Sequence, residues 1–284
     1  MTSWTRRLAL GLSLMATALA PVAAQSPDTS RAFGPLFTAG DAVLAGTVFI
    51  GTLLAQRIDD KIANRLQDSS TQDSRKLQAM ATFVRTTAAP GALYIGGTMY
   101  VVGRLAKVDR MAELGLHGTE ALLVGELTGV VLKGIIGRQR PYVEPRNPHS
   151  YGLMRGFGGG DKYRSFPSGH SVAAFAAAAA VTSQTSDWWP DSRYLIGTVL
   201  YGGAALTGIS RMYNNRHWMS DVVMGAGIGT FAGLKVVRFN TSHSGNTVDS
   251  WLLSGSLIPT SDGGQTVRWS LMPGVAIGRK PPGR

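Results

Sequence analysis

The feature that most constrains the fold is a set of apolar segments that are dense in glycine and alanine. The segments 171–183, 194–209 and 220–237 hold few charged side chains, and the whole chain has 36 Gly among 284 residues. Small side chains let helices approach each other closely, both in membranes and in tightly packed soluble bundles. The pattern therefore predicts an all-α bundle of closely packed helices.

Four further segments continue the helical pattern towards the N-terminus. The segments 36–55, 91–102 and 116–136 are apolar, although the last is interrupted by two glutamates. Segment 56–85 is polar, and its apolar residues are three or four positions apart, which is the spacing of one face of an amphipathic helix. We therefore expect a helical domain at 36–240.

The C-terminal part of the chain has a different pattern. Two short apolar stretches, 251–259 and 266–272, flank the sequence Ser261-Asp262-Gly263-Gly264, which is typical of a hairpin turn. We expect a tail at 241–284 that contains a short β-hairpin and ends in a basic, proline-rich stretch.

The N-terminus has the layout of a secretory signal. Arg6 and Arg7 precede an apolar run at 8–20, and small residues follow up to Ala24. This order of a basic, an apolar and a small-residue region predicts a signal peptide at 1–24, followed by a leader at 25–35. The alternative is that the same segment is retained as an anchor helix. Either way, we expect an exported bacterial protein whose main domain lies in the periplasm.

Composition excludes several classes of site and partner. The chain has no Cys, so it has neither a thiolate nucleophile nor a Cys-ligated metal centre. Its 28 Lys plus Arg against 17 Asp plus Glu give a formal charge of +11, which favours an anionic partner. We find no nucleic-acid-binding motif, and export argues against that class of partner.

The first segment whose side chains could bind or react with a ligand contains Lys133, Arg140 and Pro141. Seven residues are close to two helical turns, so Lys133 and Arg140 are expected on one helix face, with Arg140 at the helix end because Pro141 follows it. Arginine offers a bidentate fork for phosphate oxygens, and lysine offers a point charge. The pair alone is also typical of a solvated helix face.

The second segment is Pro167-Ser168-Gly169-His170, directly before an alanine-rich helix. Ser168 is placed to cap that helix, and Gly169 lets the backbone come close to a ligand. The amides and the dipole of a helix N-terminus favour an anion. His170 could act there as an acid or a base near neutral pH, although an ordinary cap with an exposed histidine fits the same residues.

The third segment is Ser210-Arg211, followed by His217 and Asp221. The i,i+4 spacing predicts that Asp221 stacks under His217 on one helix face and fixes the tautomer of the imidazole. The other ring nitrogen would then be free to attack. Arg211 adds a third cation, which a simple surface His–Asp pair does not explain.

Together these segments are similar to the three-part signature of the type 2 phosphatidic acid phosphatase (PAP2) and vanadium haloperoxidase superfamily. The matching residues are Lys-x6-Arg-Pro ending at Pro141, Pro-Ser-Gly-His ending at His170, and Ser-Arg-x5-His-x3-Asp ending at Asp221. The resemblance covers about 113–237. It implies a PAP2-type helical bundle in which His217 is the nucleophile, Asp221 orients it, and His170 is the acid and then the base. It further implies that Lys133, Arg140, Ser168, Gly169 and Arg211 bind the phosphate.

The resemblance implies a phosphohydrolase that uses neither metal nor cofactor and acts on phosphomonoesters or lipid (di)phosphates, such as phosphatidic acid or a polyprenyl diphosphate. One alternative is a haloperoxidase, in which His217 would ligate vanadate. A second is a non-catalytic phosphate- or lipid-binding relative. That alternative predicts a lost signature residue, and every signature residue is present.

The loop between the first two segments is basic, and its arginine Arg138 precedes Arg140 by two residues. Its basic residues could attract an anionic substrate, and Gly158-Gly159-Gly160 could hinge it as a lid; a flexible polar connection fits equally well. Two glutamates, Glu120 and Glu126, are expected to face solvent or to form structural pairs rather than to join the site.

The sequence is compatible with either water or lipid around the bundle. Most apolar runs are shorter than about 18 residues or contain Asp or Glu, and the mean hydropathy is +0.05. If an exported N-terminus were followed by three crossings, Arg140 and His170 would lie on opposite sides of the membrane. We therefore favour a soluble or peripheral periplasmic domain; the alternative is an integral inner-membrane protein with its site facing the periplasm. Oligomeric state is left open.

Overall fold

The computed structural model describes residues 35–243, the single positions 248 and 252, and the segments 256–259 and 265–268. The predicted signal peptide at 1–24, the leader up to residue 34 and the basic C-terminal stretch lie outside the described residues. The boundary predicted between domain and tail, near residue 240, falls inside the last long helix.

The described part of the chain is a helical bundle, as the sequence predicts. Its helices in chain order are α1 Ala39–Gln56, α2 Asp59–Leu66, α3 Ser69–Gln72, α4 Arg75–Ala106, α5 Asp109–Ile136, α6 Arg155–Gly158, α7 Gly169–Trp188, α8 Arg193–Tyr213 and α9 Met219–Ser242. Short 3-10 turns occupy Asp161–Tyr163 and Pro190–Ser192. Two strands, β1 Ser256–Pro259 and β2 Gln265–Arg268, pair antiparallel with Ser256 opposite Arg268, inside the region where a hairpin is expected.

The last part of the segment predicted at 56–85 and the separately predicted segment 91–102 form one helix, since α4 runs unbroken for 32 residues. Ser74 caps its start by accepting a hydrogen bond from the amide of Leu77. Its second half packs against α5 at glycines: a Cβ atom on Gly96 would lie 2.6 Å from the hydroxyl of Thr119. Such close contact between neighbouring helices holds the segment helical beyond the amphipathic region.

Helices α7 and α9 form the centre of the bundle and contact each other through a row of glycines. Gly225, Gly229 and Gly233 are four residues apart on α9, so they lie on one face. A Cβ on Gly225 would lie 2.6 Å from the carbonyl oxygen of Ser168, and one on Gly233 would lie 2.6 Å from that of Ala176. The backbones therefore approach as closely as only glycine allows, and this fixes the start of α7 against the start of α9.

Two of the described helices, α1 and α9, are long and apolar enough to cross a membrane. They differ in burial: 11% of the apolar window in α1 lies inside the protein, against 50% in α9. Large apolar side chains are also exposed on α4, α5 and α8, among them Ile95, Leu127 and Leu195. An apolar surface of this extent around a bundle needs a partner other than water.

The glycine row gives a prediction about stability. Substituting Gly229→Ala places a Cβ against the backbone of α7, and we expect a loss of about 1–3 kcal/mol because the two helices must move apart. The matched control is Gly202→Ala on α8, where a Cβ would have nothing within 4 Å; there alanine should be neutral or stabilising by up to about 1 kcal/mol. Denaturant unfolding of the purified protein measures both. Equal stability of the two variants would contradict the close contact.

Candidate active site

A cavity of about 340 Å³ lies where the three signature segments meet. Six of the eight predicted site residues line it: Lys133, Arg140, Gly169, His170, Arg211 and His217. They come from the end of α5 and the loop after it, the start of α7, the end of α8 and the loop before α9. The structure thus brings together residues that are up to 84 positions apart in the sequence, from Lys133 to His217.

His217 lies in the loop between α8 and α9, with its ring almost wholly buried. Its Nδ1 is 2.7 Å from the carbonyl oxygen of Ser165, and since a carbonyl can only accept, Nδ1 carries the proton. The lone pair therefore belongs to Nε2, which faces the cavity and lies 3.2 Å from Nη1 of Arg140. Burial lowers the pKa of His217 to about 4 against the opposing charge of Asp221, so the free imidazole is neutral at neutral pH.

The relation between His217 and Asp221 differs from the predicted stacking on a helix. Helix α9 begins at Met219, so His217 precedes the helix and Asp221 lies in its first turn. The nearest carboxylate oxygen of Asp221 is 3.6 Å from Nδ1, which is too long for a hydrogen bond. The Ser165 carbonyl therefore sets the tautomer. Asp221 acts on the ring through its charge at short range.

Three donors hold the buried carboxylate of Asp221. Its Oδ2 accepts hydrogen bonds from the amide of Trp218 at 2.8 Å and from the hydroxyl of Ser165 at 2.5 Å. The third donor is Arg138, whose Nη1 lies 2.6 Å from Oδ1; in addition, the main-chain carbonyl of Asp221 accepts from the amide of Ser168 at 2.9 Å. The loop carrying the second segment and the start of α9 are thus fastened to each other.

Arg138 is not one of the loop cations that attract substrate, contrary to one expectation from the sequence. It is fully buried and contacts two carboxylates at once, Asp221 and, at 2.7 Å, Asp59 of α2. Its remaining donors reach the carbonyl of Pro148, at 3.0 Å from Nε. Burial alone would lower the pKa of Arg138, but the charges of Asp221, Tyr151 and Asp59 raise it, so the guanidinium remains charged.

Arg140 enters the cavity from the loop, not from the helix end that the sequence suggests. Helix α5 stops at Ile136, and Gly137 follows with a positive φ of 54° that turns the chain. In the free site, Arg140 donates from Nη2 to the Asp161 carboxylate at 2.8 Å and from Nη1 to the Arg216 carbonyl at 3.0 Å. Arg140 and Lys133 therefore meet because the loop folds back over the helix end.

Lys133 and Arg211 lie in the cavity wall with donors still available. Lys133 Nζ and Arg211 Nε are buried and make no hydrogen bond within the described part of the chain. Unpaired buried donors of this kind are uncommon, because each loses its hydrogen bonds to water. Two such cationic donors facing one cavity indicate a site for an anion. Glu126 also lines the cavity, although the sequence predicts that it faces solvent or forms a structural pair.

The start of α7 has the predicted cap. The hydroxyl of Ser168 accepts a hydrogen bond from the amide of Ser171 at 3.4 Å and one from its hydroxyl at 3.0 Å. Ser168 is fully buried and is not among the residues that line the cavity, and its contact with phosphate stays a prediction. Gly169 does line the cavity, and a Cβ there would lie 3.2 Å from Lys133 Nζ. Its missing side chain leaves room for the ligand.

Three residues of the site are not predicted from the sequence. Asp59 lies far from the signature in an ordinary polar helix, and nothing in its local sequence distinguishes it from Asp60. Ser165 acts through its carbonyl as well as its hydroxyl, and a carbonyl leaves no trace in the residue type. Asp161, which holds Arg140, follows the glycine run, where an acidic residue among basic ones is the only local signal.

Comparison with known proteins agrees with the signature. Residues 116–244 match the model of the PAP2 superfamily. A stretch of 138 residues is 35% identical to a protein from Porphyromonas gingivalis described as lipid A 1-phosphatase; the match covers 44% of this chain and 27% of that relative. The match therefore spans about a quarter of that relative's length.

Two solved structures resemble the fold more loosely. The crystal structure of LpxE from Aquifex aeolicus is 20% identical, with a TM-score of 0.44 over 64% of this chain and 95% of the other. A transmembrane PAP2 type phosphatidylglycerolphosphate phosphatase from Bacillus subtilis is 21% identical, with a TM-score of 0.38 over 69% and 94% of the two chains. All eight predicted site residues fall inside 116–244, the region that matches the PAP2 superfamily model.

Proposed function

We propose that the protein is a phosphatase that hydrolyses lipid phosphates through a phosphohistidine on His217. One observation carries the proposal: the unprotonated Nε2 of His217 faces a cavity whose wall holds Lys133, Arg140 and Arg211. A nucleophile surrounded by cations fits phosphoryl transfer, in which the protein mainly positions the phosphate and stabilises its charge.

In the first step, the lone pair of His217 Nε2 forms a bond to phosphorus while the bond from phosphorus to the leaving oxygen breaks. Arg140 exchanges its contact with Nε2 for the equatorial phosphate oxygens. His170, protonated beside the phosphate charge, gives its proton to the leaving oxygen. The product is an alcohol, or a lipid phosphate when a diphosphate is cleaved, and His217 carries the phosphoryl group.

In the second step, water replaces the histidine. His170 has lost its proton and now takes one from a water molecule, whose oxygen forms the new bond to phosphorus. The electron pair of the P–N bond returns to Nε2, and inorganic phosphate leaves. The Ser165 carbonyl holds the proton on Nδ1 throughout, and Asp221 stabilises the positive charge that the ring carries while it is phosphorylated.

The apolar part of the cavity supports a lipid substrate. Leu93, Leu123 and Val130 line the cavity and are also 42–57% exposed on the outer surface, so the wall continues to the outside of the bundle. A phosphate held by the three cations would therefore have its apolar chains directed along this wall. The name of the relative from Porphyromonas gingivalis suggests lipid A 1-phosphate as one substrate to test beside phosphatidic acid.

The same surface leads us to propose an integral membrane protein, the alternative to the soluble or peripheral protein that the sequence favours. The exposed apolar residues on α1, α4, α5 and α8 would then contact lipid. Short apolar runs in the sequence underestimate these helices: α4 and α5 extend beyond the apolar segments predicted within them, to 32 and 28 residues. In such a protein, a lipid substrate would reach the site from the bilayer.

The first prediction concerns the nucleophile. His217→Ala should lower phosphate release from phosphatidic acid, lipid A 1-phosphate and polyprenyl diphosphate by about 10³-fold or more, because no phosphoenzyme can form. A base quench of the wild type with ³²P-labelled substrate should trap label on the protein, since phosphohistidine survives alkali. The control is His149→Ala in the exposed part of the loop, which should keep full activity. Unchanged activity or labelling of His217→Ala would refute the mechanism.

A second prediction concerns metal ions. Because three cationic side chains line the site, we expect phosphate release to stay within about twofold after dialysis against EDTA. The same preparation should gain little from added Mg²⁺. Activity that disappears with EDTA and returns with Mg²⁺ would show that a metal ion takes part.

The third prediction concerns location. After expression with its own N-terminus, the protein should stay in the membrane pellet through an alkaline carbonate wash, because helices embedded in lipid are not released by removing ionic contacts. Detergent should then solubilise it in active form. Recovery in the carbonate supernatant would instead support the soluble or peripheral protein.

A further inference from the structure

Asp59, a charged residue outside the matched region 116–244, contacts residues close to His217 and Asp221. Asp59 begins α2, it is fully buried, and its Oδ2 lies 2.7 Å from Nη2 of Arg138. The same carboxylate accepts two hydrogen bonds from Ser220, at 2.8 Å from the amide and 2.6 Å from the hydroxyl. Asp59 therefore binds both Arg138 and the first turn of α9.

Arg138 connects this carboxylate to the one beside the nucleophile. Its Nη1 lies 2.6 Å from Asp221 Oδ1 and 2.7 Å from the hydroxyl of Ser220, while Nη2 reaches Asp59. Both ion pairs have side chains with 0% exposure, so water does not screen them. The contacts form one chain that runs from Asp59 through Arg138 to Asp221, whose other oxygen is 3.6 Å from Nδ1 of His217.

The charges in this chain do not balance in the free protein. Two carboxylates face one guanidinium, so one negative charge is left over beside a neutral imidazole. Under the mechanism above, His217 becomes positive when Nε2 is bonded to phosphorus, and the buried cluster is then neutral. Without the charge of Asp59, Arg138 would neutralise Asp221 more completely, and the positive ring of phosphorylated His217 would lose carboxylate charge on its Nδ1 side.

We propose that Asp59 is a positioning residue for phosphoryl transfer: by sharing Arg138 it leaves Asp221 with negative charge to stabilise the phosphorylated His217. This rests on the proposed function. It assigns a role in the reaction to α2, which lies outside 116–244. Asp59 touches neither substrate nor the reacting atoms and acts through Arg138 and Asp221.

The α2–α3 region has further contacts that fit this role. The Nε2 of Gln67 donates to the carbonyl of Tyr213 at 3.0 Å, and the hydroxyl of Tyr213 donates to the carbonyl of Thr71 at 3.3 Å. Tyr213 ends α8, two residues after Arg211. The region therefore fastens both sides of the loop that carries His217.

The test is Asp59→Asn in the full-length protein, with Asp60→Asn as the matched control because Asp60 is the exposed neighbour on the same helix. We expect kcat per folded molecule to fall about 10–100-fold for Asp59→Asn, with KM within about twofold, because the phosphate-binding cations are untouched. Asp60→Asn should match the wild type. The amount of folded protein is measured separately by thermal unfolding, since the amide turns a donor towards Arg138 or Ser220.

A double-mutant cycle separates this role from a merely structural one. If Asp59 acts through Asp221, then Asp59→Asn in an Asp221→Asn background should lower the remaining rate by less than about twofold. A structural contribution would multiply the rate loss equally in both backgrounds. A decrease in kcat of less than about fivefold in the wild-type background, or equal losses in both, would overturn the proposal.

A second variant covers the case in which Asp59→Asn does not fold. Ser220→Ala removes the hydroxyl between Asp59 and Arg138 without changing any charge, and it should lower kcat by about threefold or more at constant KM; an unchanged kcat would overturn the proposal. His217→Ala is measured in parallel. If that variant keeps its activity, the phosphohistidine mechanism itself fails, whereas an inactive His217→Ala beside a fully active Asp59→Asn rejects the role of Asp59 alone.

Discussion

The arrangement of the site depends on one buried cation, Arg138, held between Asp59 and Asp221. A guanidinium with 0% exposure is tolerated only if its charge and its donors are matched by the protein. Here two carboxylates supply the charge, and the carbonyl of Pro148 takes further donors. Removing either carboxylate would leave Arg138 partly unpaired, so the positions of α2, the loop after α5 and the start of α9 are fixed together.

Close helix packing is the second condition for this geometry. The row Gly225, Gly229 and Gly233 brings α9 onto α7 at backbone distance, and the first of these glycines faces the carbonyl of Ser168. At that depth the amide of Ser168 reaches the carbonyl of Asp221 at 2.9 Å, and the hydroxyl of Ser165 reaches its carboxylate. A larger residue in the row would separate the two helix starts, and with them His170 from His217.

The sequence predicts which side chains meet at the cavity better than it predicts what holds them there. His217, His170 and the three cations are found because each belongs to a local pattern of residue type and spacing, and the structure brings them to one cavity. The i,i+4 spacing of His217 and Asp221 predicts stacking on a helix, but the helix begins between them. The tautomer depends instead on a main-chain carbonyl, that of Ser165, which residue types cannot reveal.

For the fold, too, local patterns are predicted from the sequence and long-range contacts are not. Periodicity predicts the helices, yet not that residues 75–85 continue into 91–102 as one helix α4, because that continuity depends on contact with α5. From the sequence, Arg138 is predicted to be one more cation in a basic loop. It is buried because two carboxylates pair with it, and one of them, Asp59, is 79 residues away in the sequence. Long-range pairing of this kind has no local signal, and a single sequence carries no covariation that would reveal it.

The cations in the cavity divide by what holds them before a ligand arrives. Arg140 is held by Asp161, whose side chain is 61% exposed, so that ion pair is weakened by water and readily exchanged for a phosphate. Lys133 Nζ and Arg211 Nε are buried and make no hydrogen bond to the residues described, so an entering phosphate gives them hydrogen bonds that they otherwise lack. Under the proposed function, the binding energy would therefore come mainly from these two, while Arg140, which also contacts His217 Nε2, would expose the nucleophile as it turns to the phosphate.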